Sequence, residues 1–464
     1  MEGMGDEFDA VLTRVRERVT PAPEERERLE DVVAVLVAET EAVLGDLPVE
    51  AEPIHVGSTA RNTWLAGDRD IDLFVSFRPD LDRERLEEFG LRVGHAVLPE
   101  SHEEYAEHPY VVGEYDGFDV DLVPCYGVAD AADIRSAVDR TPFHSQYLAD
   151  RLTDGLAGDV RVCKQFLAGV GVYGSDLRTR GFSGFLAELL VLEYGGFRPF
   201  VEAAADWHPP VEFDPEDHGR VAFEDPLVVV DPTDPERNVA AVCTVENVAS
   251  LQHYARELLA EPREDLFESD DPGPVAPGEV REVLADRGTT PVALRFDAPE
   301  IVEDQLWPQL EKSREGIAGE LDRRGFDVFR SAAFADTSEG ARTATAAGDA
   351  ALLFELAVAE RPRIERHEGP PVHVREHARD FYEAYADGDA YGPFLDGDRY
   401  VVEREREYAS AIALLEGEVV FDVALGAHVE SALQEGYDLL VGDEVAMLAE
   451  DFGRELARYF APEP

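Results

Sequence analysis

Apolar residues recur at helical spacing from Glu24 to Leu44, where Leu29, Val32, Val33, Leu36 and Val37 fall on one stripe, so an amphipathic helix is predicted there. Short extended runs follow. Pro53-Ile54-His55-Val56 leads into Gly57-Ser58, and a second run occupies Ile71 to Phe77. Then YVVGEY and FDVDLVPCY flank Asp116-Gly117, and an Asp-Gly pair between two apolar runs signals a hairpin. From about 146 to 262 the pattern turns helical, in VRVCKQFLAGVGVY, GFSGFLAELLVLEYGG and NVAAVCTVENVASLQHYARELL. The segment PREDLFESDDPGPVAPGE lacks periodicity and is acidic and rich in Pro and Gly, the composition of a linker with its acids in a solvated loop. Beyond it, TPVALRFDAP reads as a strand and EDQLWPQLEKSREGIAGELDRRG as a long helix; FDVFRSAAFAD and AALLFELAVAE read as two more strands. That order predicts a small α/β sandwich, whereas from about Glu376 helical and extended signals alternate without resolving. The prediction is an α+β, multidomain chain: a head of mixed sheet plus helices over 1–145, a helical central domain over 146–275 ending in the acidic linker, and an α/β body and tail over 276–464.

Charge changes the picture. The 464 residues carry 100 Asp plus Glu against 42 Lys plus Arg, a net charge of −58. Such acidity can mean disorder, but 24 Phe, 15 Tyr and many Val/Leu runs imply packed cores. Lys164 and Lys312 are the chain's two lysines, so nearly all positive charge is arginine. Together these point to an acidic, heavily hydrated surface adapted to multimolar salt. In about 1 M salt the Debye length falls to about 3 Å, so the net charge does not exclude an RNA partner. Cys125, Cys163 and Cys243 are far apart and odd in number, which argues against a disulfide framework and against a cysteine zinc site. No run of 18 apolar residues occurs and no signal peptide opens the chain, so a soluble, cytoplasmic protein without a membrane partner is expected.

The chemistry concentrates in Gly57-Ser58, Arg61 and Asp70-Ile71-Asp72. Alternate residues of a strand share a face, so Asp70 and Asp72 project together while Ile71 and Leu73 turn to the core. Two neighbouring carboxylates repel unless a cation lies between them, and Mg²⁺ prefers one or two carboxylates plus substrate phosphates. A glycine-serine turn offers backbone N–H groups and a hydroxyl to phosphate, and Arg61 can add a charge-assisted contact. In a chain with 100 acidic residues a chance Asp-x-Asp is expected, so the weight lies on the combination with the upstream Gly-Ser and with a further carboxylate pair in FDVDLVPCY. There Asp119 and Asp121 share a face, and spacing does not choose between them. A third carboxylate beside the first two would complete a two-metal site for phosphoryl transfer.

The ordered runs GSTARNTWLAGDRDIDLFVSF, FDVDLVPCYGV, SAVDRTPFHSQYL, RVCKQFLAGVGVYGSDLRTRGFSGFLAELL and DPTDPERNVAA resemble the archaeal, class I CCA-adding enzymes, tRNA nucleotidyltransferases of the polymerase-β-like superfamily. The similarity spans at least residues 55 to 255 and thins toward the C-terminus. The resemblance implies a polymerase-β-like head, a helical neck, and a body and tail that grip tRNA. It implies Asp70, Asp72 and Asp121 as catalytic, metal-binding carboxylates for Mg²⁺, with Asp70 standing where relatives often carry Glu. It places contacts to CTP and ATP at Gly57, Ser58, Arg61, His144, Lys164, Tyr173 and Arg237. Each of these also has a structural reading: Lys164 on a helix surface, His144 at a helix start, Tyr173 in a core, Arg237 in a loop salt bridge. Trp64 reads as packing, and His108, just before the hairpin, as a candidate contact to nucleotide or RNA terminus. The implied reaction is addition and repair of the 3′-terminal CCA of tRNA with release of pyrophosphate; a homodimer is compatible with it. The competing readings are a poly(A)- or oligoadenylate-type polymerase, a small-molecule nucleotidyltransferase, and a non-catalytic RNA-binding protein with a dead head.

Overall fold

The computed structural model describes residues 2–219, 221–269, 271–336 and 348–464, which fall into two compact units divided along the chain between residues 270 and 271. The first unit opens with helix α1 (Glu2–Val19) and helix α2 (Pro23–Leu44), which starts on a proline and carries acids in its first turn. There follow β1 (Ala51–Val56), the single turn α3 (Gly57–Ala60), β2 (Asp70–Phe77), α4 (Arg83–Val97), and strands β3 (Ser101–Tyr105), β4 (Pro109–Tyr115) and β5 (Phe118–Tyr126). The sheet order is β1-β2-β5-β4-β3, and β2 with β5 is its parallel pair. Asp116 and Gly117 both have positive φ, as a two-residue hairpin turn with the right twist demands. Ile71, Leu73, Val75 and Phe77 alternate with Asp70 and Asp72, and pack with Val120, Leu122 and residues of α2 and α4 in one buried cluster. The opposite face carries the aspartates and a smaller cluster around Phe74 and Val123.

The helical part contains α5 (Arg140–Ala149), α6 (Asp154–Gly169), α7 (Gly184–Tyr194), α8 (Phe197–Ala204) and α9 (Val245–Ala260), with three short strands, β6 (Val211–Phe213), β7 (Leu227–Asp231) and β8 (Asp234–Asn238), inserted before α9. Thr153, Ser183 and Thr244 cap α6, α7 and α9 through their hydroxyls, and Gly195, at φ 74°, ends α7. The apolar stripe of α1 (Phe8, Val11, Leu12, Val15, Val19) packs into this helical core, although the sequence division assigns α1 to the head.

In the second unit, α10 (Pro277–Arg287), β9 (Thr290–Asp297), α11 (Glu303–Arg323), β10 (Val328–Ala335) and β11 (Asp349–Leu356) precede β12 (Ile364–Pro371), α12 (Arg375–Ala386), β13 (Tyr391–Asp396) and β14 (Arg399–Glu405). The chain then runs through α13 (Ala411–Leu415), α14 (Ala427–Glu435), β15 (Asp438–Val441) and α15 (Ala449–Phe460). An antiparallel sheet, β10-β11-β9-β15, has a buried cluster on each face, one with α11 and α14, the other with α10 and α15. Of the stretch after Glu376, β13 and β14 join β12 in a second, three-stranded sheet, β12-β14-β13, covered by α12, whereas β15 joins the first sheet. That small sheet leaves Tyr382, Tyr391, Phe394 and Leu395 exposed, which explains why its hydrophobic pattern does not resolve in the sequence.

The acidic stretch read as linker and solvated loop behaves differently at its start. Leu266 and Phe267 are buried; the Phe267 ring lies 5.5 Å from that of Phe166, and its carbonyl accepts from Gln165 Nε2 at 2.6 Å. Apolar burial wins over the flanking acids because Leu266 and Phe267 turn inward while Asp265 and Glu268 stay exposed. Phe267→Ala should therefore destabilise the first unit by about 3–5 kcal/mol, measured by denaturant unfolding in multimolar KCl. Phe267→Leu should cost clearly less.

Candidate functional site

Register builds the site. In the parallel β2/β5 pair, Asp72 lies opposite Asp121 and Asp70 opposite Asp119, so all four carboxylates leave one face of the sheet. Asp121 is half-buried and level with Asp72, whereas Asp119 is exposed and one pleat further out. β1 delivers Val56 opposite Asp72, and the chain turns at once through Gly57, at φ 77°. A Cβ on Gly57 would overlap the Asp72 carboxylate, so glycine is required both for the turn and for this approach. Ser58 is half-buried beside it, its carbonyl accepting from the Thr63 amide at 3.0 Å.

Asp68 joins the acidic group. Burial, then the charge and hydrogen bond of Asp70, push its carboxyl up to about 6, against the pull of Lys164. A carboxyl raised by burial and by a neighbouring carboxylate marks a place that favours a cation. Carboxylate oxygens are hard donors suited to Mg²⁺, which needs only one or two carboxylates before substrate phosphates complete its shell. Among the described residues, no group of three or more Asp, Glu, His or Cys is placed to hold a metal ion by itself.

Behind the Gly57 turn lies a buried ionic network centred on Glu188, which is 0% exposed. Arg61 Nη2 donates to Glu188 Oε2 at 2.8 Å, and Arg61 Nη1 donates to Ser145 Oγ at 2.9 Å. The Thr63 hydroxyl donates to Glu188, and Lys164 Nζ reaches the Thr63 carbonyl at 3.1 Å and Glu188 Oε1 at 3.5 Å. Burial would raise Glu188, but Lys164, then Arg61 and Thr63, outweigh it and hold the carboxyl below its ordinary value. Lys164 is itself only 3% exposed, and burial lowers its ammonium despite Glu188. The lysine is thus a buried charge under the loop and not a free surface cation. Tyr173 sits beside it: a Cβ at Gly184 would lie 3.1 Å from the Tyr173 hydroxyl and 3.6 Å from Lys164 Nζ. Burial, then Glu188 and Asp68, push the Tyr173 phenol up.

A second hub is Asp231, fully buried at the end of β7. It accepts from His144 Nε2 at 2.8 Å, from Arg237 Nη1 at 2.7 Å and from both the amide and the hydroxyl of Thr233 at 2.9 and 2.8 Å. His144 also stacks on Phe185, with centroids 3.9 Å apart. The structure thus brings Asp70, Asp72 and Asp121 to one face, gathers Arg61, Lys164 and Tyr173 around Glu188, and gathers His144 and Arg237 around Asp231.

His108 does not join them. Its ring is buried on the α4 side near the far end of β5, edge-on to Tyr126 at 6.2 Å and 3.7 Å from Glu87. Trp64 is buried in the head core, and the three cysteines are free and buried. No helix among the described residues is long and apolar enough to cross a membrane.

Residues 41–144 match the family described as nucleotidyltransferase domain, 158–268 the tRNA nucleotidyltransferase second domain, and 287–442 the CCA-adding enzyme C-terminal domain. The CCA-adding enzyme of Haloarcula marismortui is 62% identical, the alignment covering 99% of this chain and 100% of that one. That of Methanoregula boonei is 42% identical, with 96% and 94% covered. The chain belongs to the CCA-adding enzyme family. It is accordingly a nucleotidyltransferase, of a superfamily that generally uses divalent metal ions. Among solved structures, a cytoplasmic RNA terminal U-transferase covers 58% of this chain and 99% of its own at 16% identity and a TM-score of 0.44.

For a member of this family, three anchoring residues were not singled out in the sequence: Asp68, Glu188 and Asp231. Two left a signal. Glu188 is a lone carboxylate inside the apolar run FLAELLVL, and Asp231 closes the all-apolar strand LVVVD; a charge in such company must find partners.

Gly57→Ala should lower nucleotide incorporation by about 10²-fold or more, the scale of an ångström's misplacement. Gly67→Ala is the control, since it shares a positive φ but has open space around it, and should retain most activity. Glu188→Gln leaves Lys164 and Arg61 buried without their counter-charge; unfolding measurements should show a loss of about 3–5 kcal/mol.

Proposed function

We propose that the chain builds and repairs the 3′-terminal CCA of tRNA, taking CTP twice and ATP once and releasing pyrophosphate at each step. The observation that carries this is the in-register pairing of Asp72 with Asp121 on the face that also holds Asp70 and abuts Gly57. It is joined by full-length similarity to proteins named CCA-adding enzyme.

In this reading Asp70, Asp72 and Asp121 hold Mg²⁺, with Asp121 on the side of the attacking hydroxyl. When bound, the ions supply the positive charge that activates the hydroxyl and neutralises the leaving pyrophosphate. The chain's own residues position the reactants. Gly57 and Ser58 present backbone N–H groups and a hydroxyl to the triphosphate. Arg61 and Lys164 set two positive charges against the one of Glu188, leaving a surplus under the same loop. Tyr173, His144 and Arg237 border the nucleotide, and the body and tail after residue 275 grip the RNA by shape. Little covalent chemistry is left to the protein, so orientation and charge carry the rate.

Incubating tRNA that lacks its CCA with single and paired nucleotides, in multimolar KCl with Mg²⁺, tests the reading. Addition that requires CTP, then ATP, and stops after three residues is the expected result. Open-ended growth on ATP alone would favour a poly(A)-type polymerase instead. Asp72→Ala and Asp121→Ala should each abolish incorporation while tRNA binding persists.

A further inference from the structure

Among the described residues His144 makes its side-chain hydrogen bonds through Nε2, which faces both oxygens of Asp231 at 3.0 and 2.8 Å. Asp231 is 0% exposed, and each of its oxygens also receives a second donor: Thr233 at one, Arg237 at the other. Burial would raise this carboxyl, yet His144 and Thr233 hold it well below the ordinary range, so it stays ionised. An ionised carboxylate requires a proton on the nitrogen that faces it, so Nε2 is the N–H. Burial first, with Arg237 and Arg140 adding to it, lowers His144 against the opposing pull of Asp231. The neutral ring then keeps a bare lone pair on Nδ1. Stacking on Phe185 at an interplanar angle of 17° fixes the plane in which that lone pair points. The next residue, Ser145, is held by Arg61, so the ring is placed from the same helix that touches the Glu188 network.

We propose that Asp231 is a positioning residue that locks His144 in the tautomer whose Nδ1 only accepts, so that His144 takes a hydrogen bond from an O–H or N–H donor of the incoming nucleotide and gives none to its phosphates. This rests on the function proposed above. The donor is the ribose 2′-hydroxyl or the exocyclic amine. Cytosine and adenine both carry such an amine, whereas uracil presents a carbonyl at the corresponding position. Asp231→Asn places an amide where the carboxylate stood. Its N–H can face Nε2, which moves the ring proton to Nδ1 and turns an acceptor into a donor.

Nitrogen-15 spectra of the full chain, with His144→Asn identifying the signals, report the tautomer without any turnover. The wild type should show Nε2–H, and Asp231→Asn should shift toward Nδ1–H. Kinetics with CTP, 2′-deoxy-CTP and UTP on truncated tRNA then name the donor. Asp231→Asn should raise KM for CTP at least tenfold with a smaller effect on kcat. If the hydroxyl is the donor, the preference for CTP over 2′-deoxy-CTP collapses; if the amine is, the preference for CTP over UTP collapses. His144→Asn should reproduce whichever loss appears, and combining it with Asp231→Asn should add little, which keeps the test decisive if Asp231→Asn folds poorly. A wild-type Nδ1–H or imidazolium, or an equal loss on all three nucleotides, would overturn the role of Asp231. A wild type inactive with CTP would instead overturn the function on which it rests.

Discussion

Parallel pairing of β2 with β5 is the constraint on which the rest depends. Parallel neighbours in register place equivalent positions on the same side, so Asp72 and Asp121 converge although residues 73–120, including α4 and two strands, lie between them in the chain. A slip of one residue would turn Asp121 into the α4 face and bring Val120 to the pocket. The alternation Ile71, Leu73, Val75, Phe77 against α2 and α4 prevents that slip, because it would expose the whole apolar set. Core packing and the carboxylate geometry are therefore one requirement.

Around that face the protein uses buried acids as anchors for its cations. Glu188 and Asp231 are each fully enclosed, and each organises side chains that the family resemblance places at the nucleotide. The arrangement differs from the surface, where −58 of net charge is spread over hydrated carboxylates. Salt screens those outer charges almost completely at multimolar concentration, but it does not reach a pair sealed from solvent.

Much of the head is legible in the sequence because strand alternation, the Asp116-Gly117 turn and the Gly57-Ser58 approach are local and follow from backbone geometry. Asp121 and Asp119 obey the same period, so periodicity does not separate them; the family resemblance names Asp121, and the register with β2 sets it level with Asp72. Glu188 and Asp231 escaped for a related reason: periodicity says that a position is buried, not which distant cation meets it there. Phe267 was hidden by its acidic neighbours, and the β12-β14-β13 sheet by having too little interior to impose a pattern. His108 shows the opposite error, where closeness in sequence to the hairpin suggested a closeness in space that the sheet's two faces forbid.

The docking of α1 on α6 bears on how the chain is made. The head, from α2 to β5, encloses its own cluster and can close as soon as it emerges from the ribosome. The apolar stripe of α1 precedes the head in the chain, yet most of the cluster it packs into comes from α6 and later elements, Phe267 among them. For the time it takes to translate the entire head, Phe8, Val11, Leu12 and Val15 wait in solvent. Concentrated salt strengthens hydrophobic association, so in such a medium that interval is when the nascent protein is most exposed to misassembly.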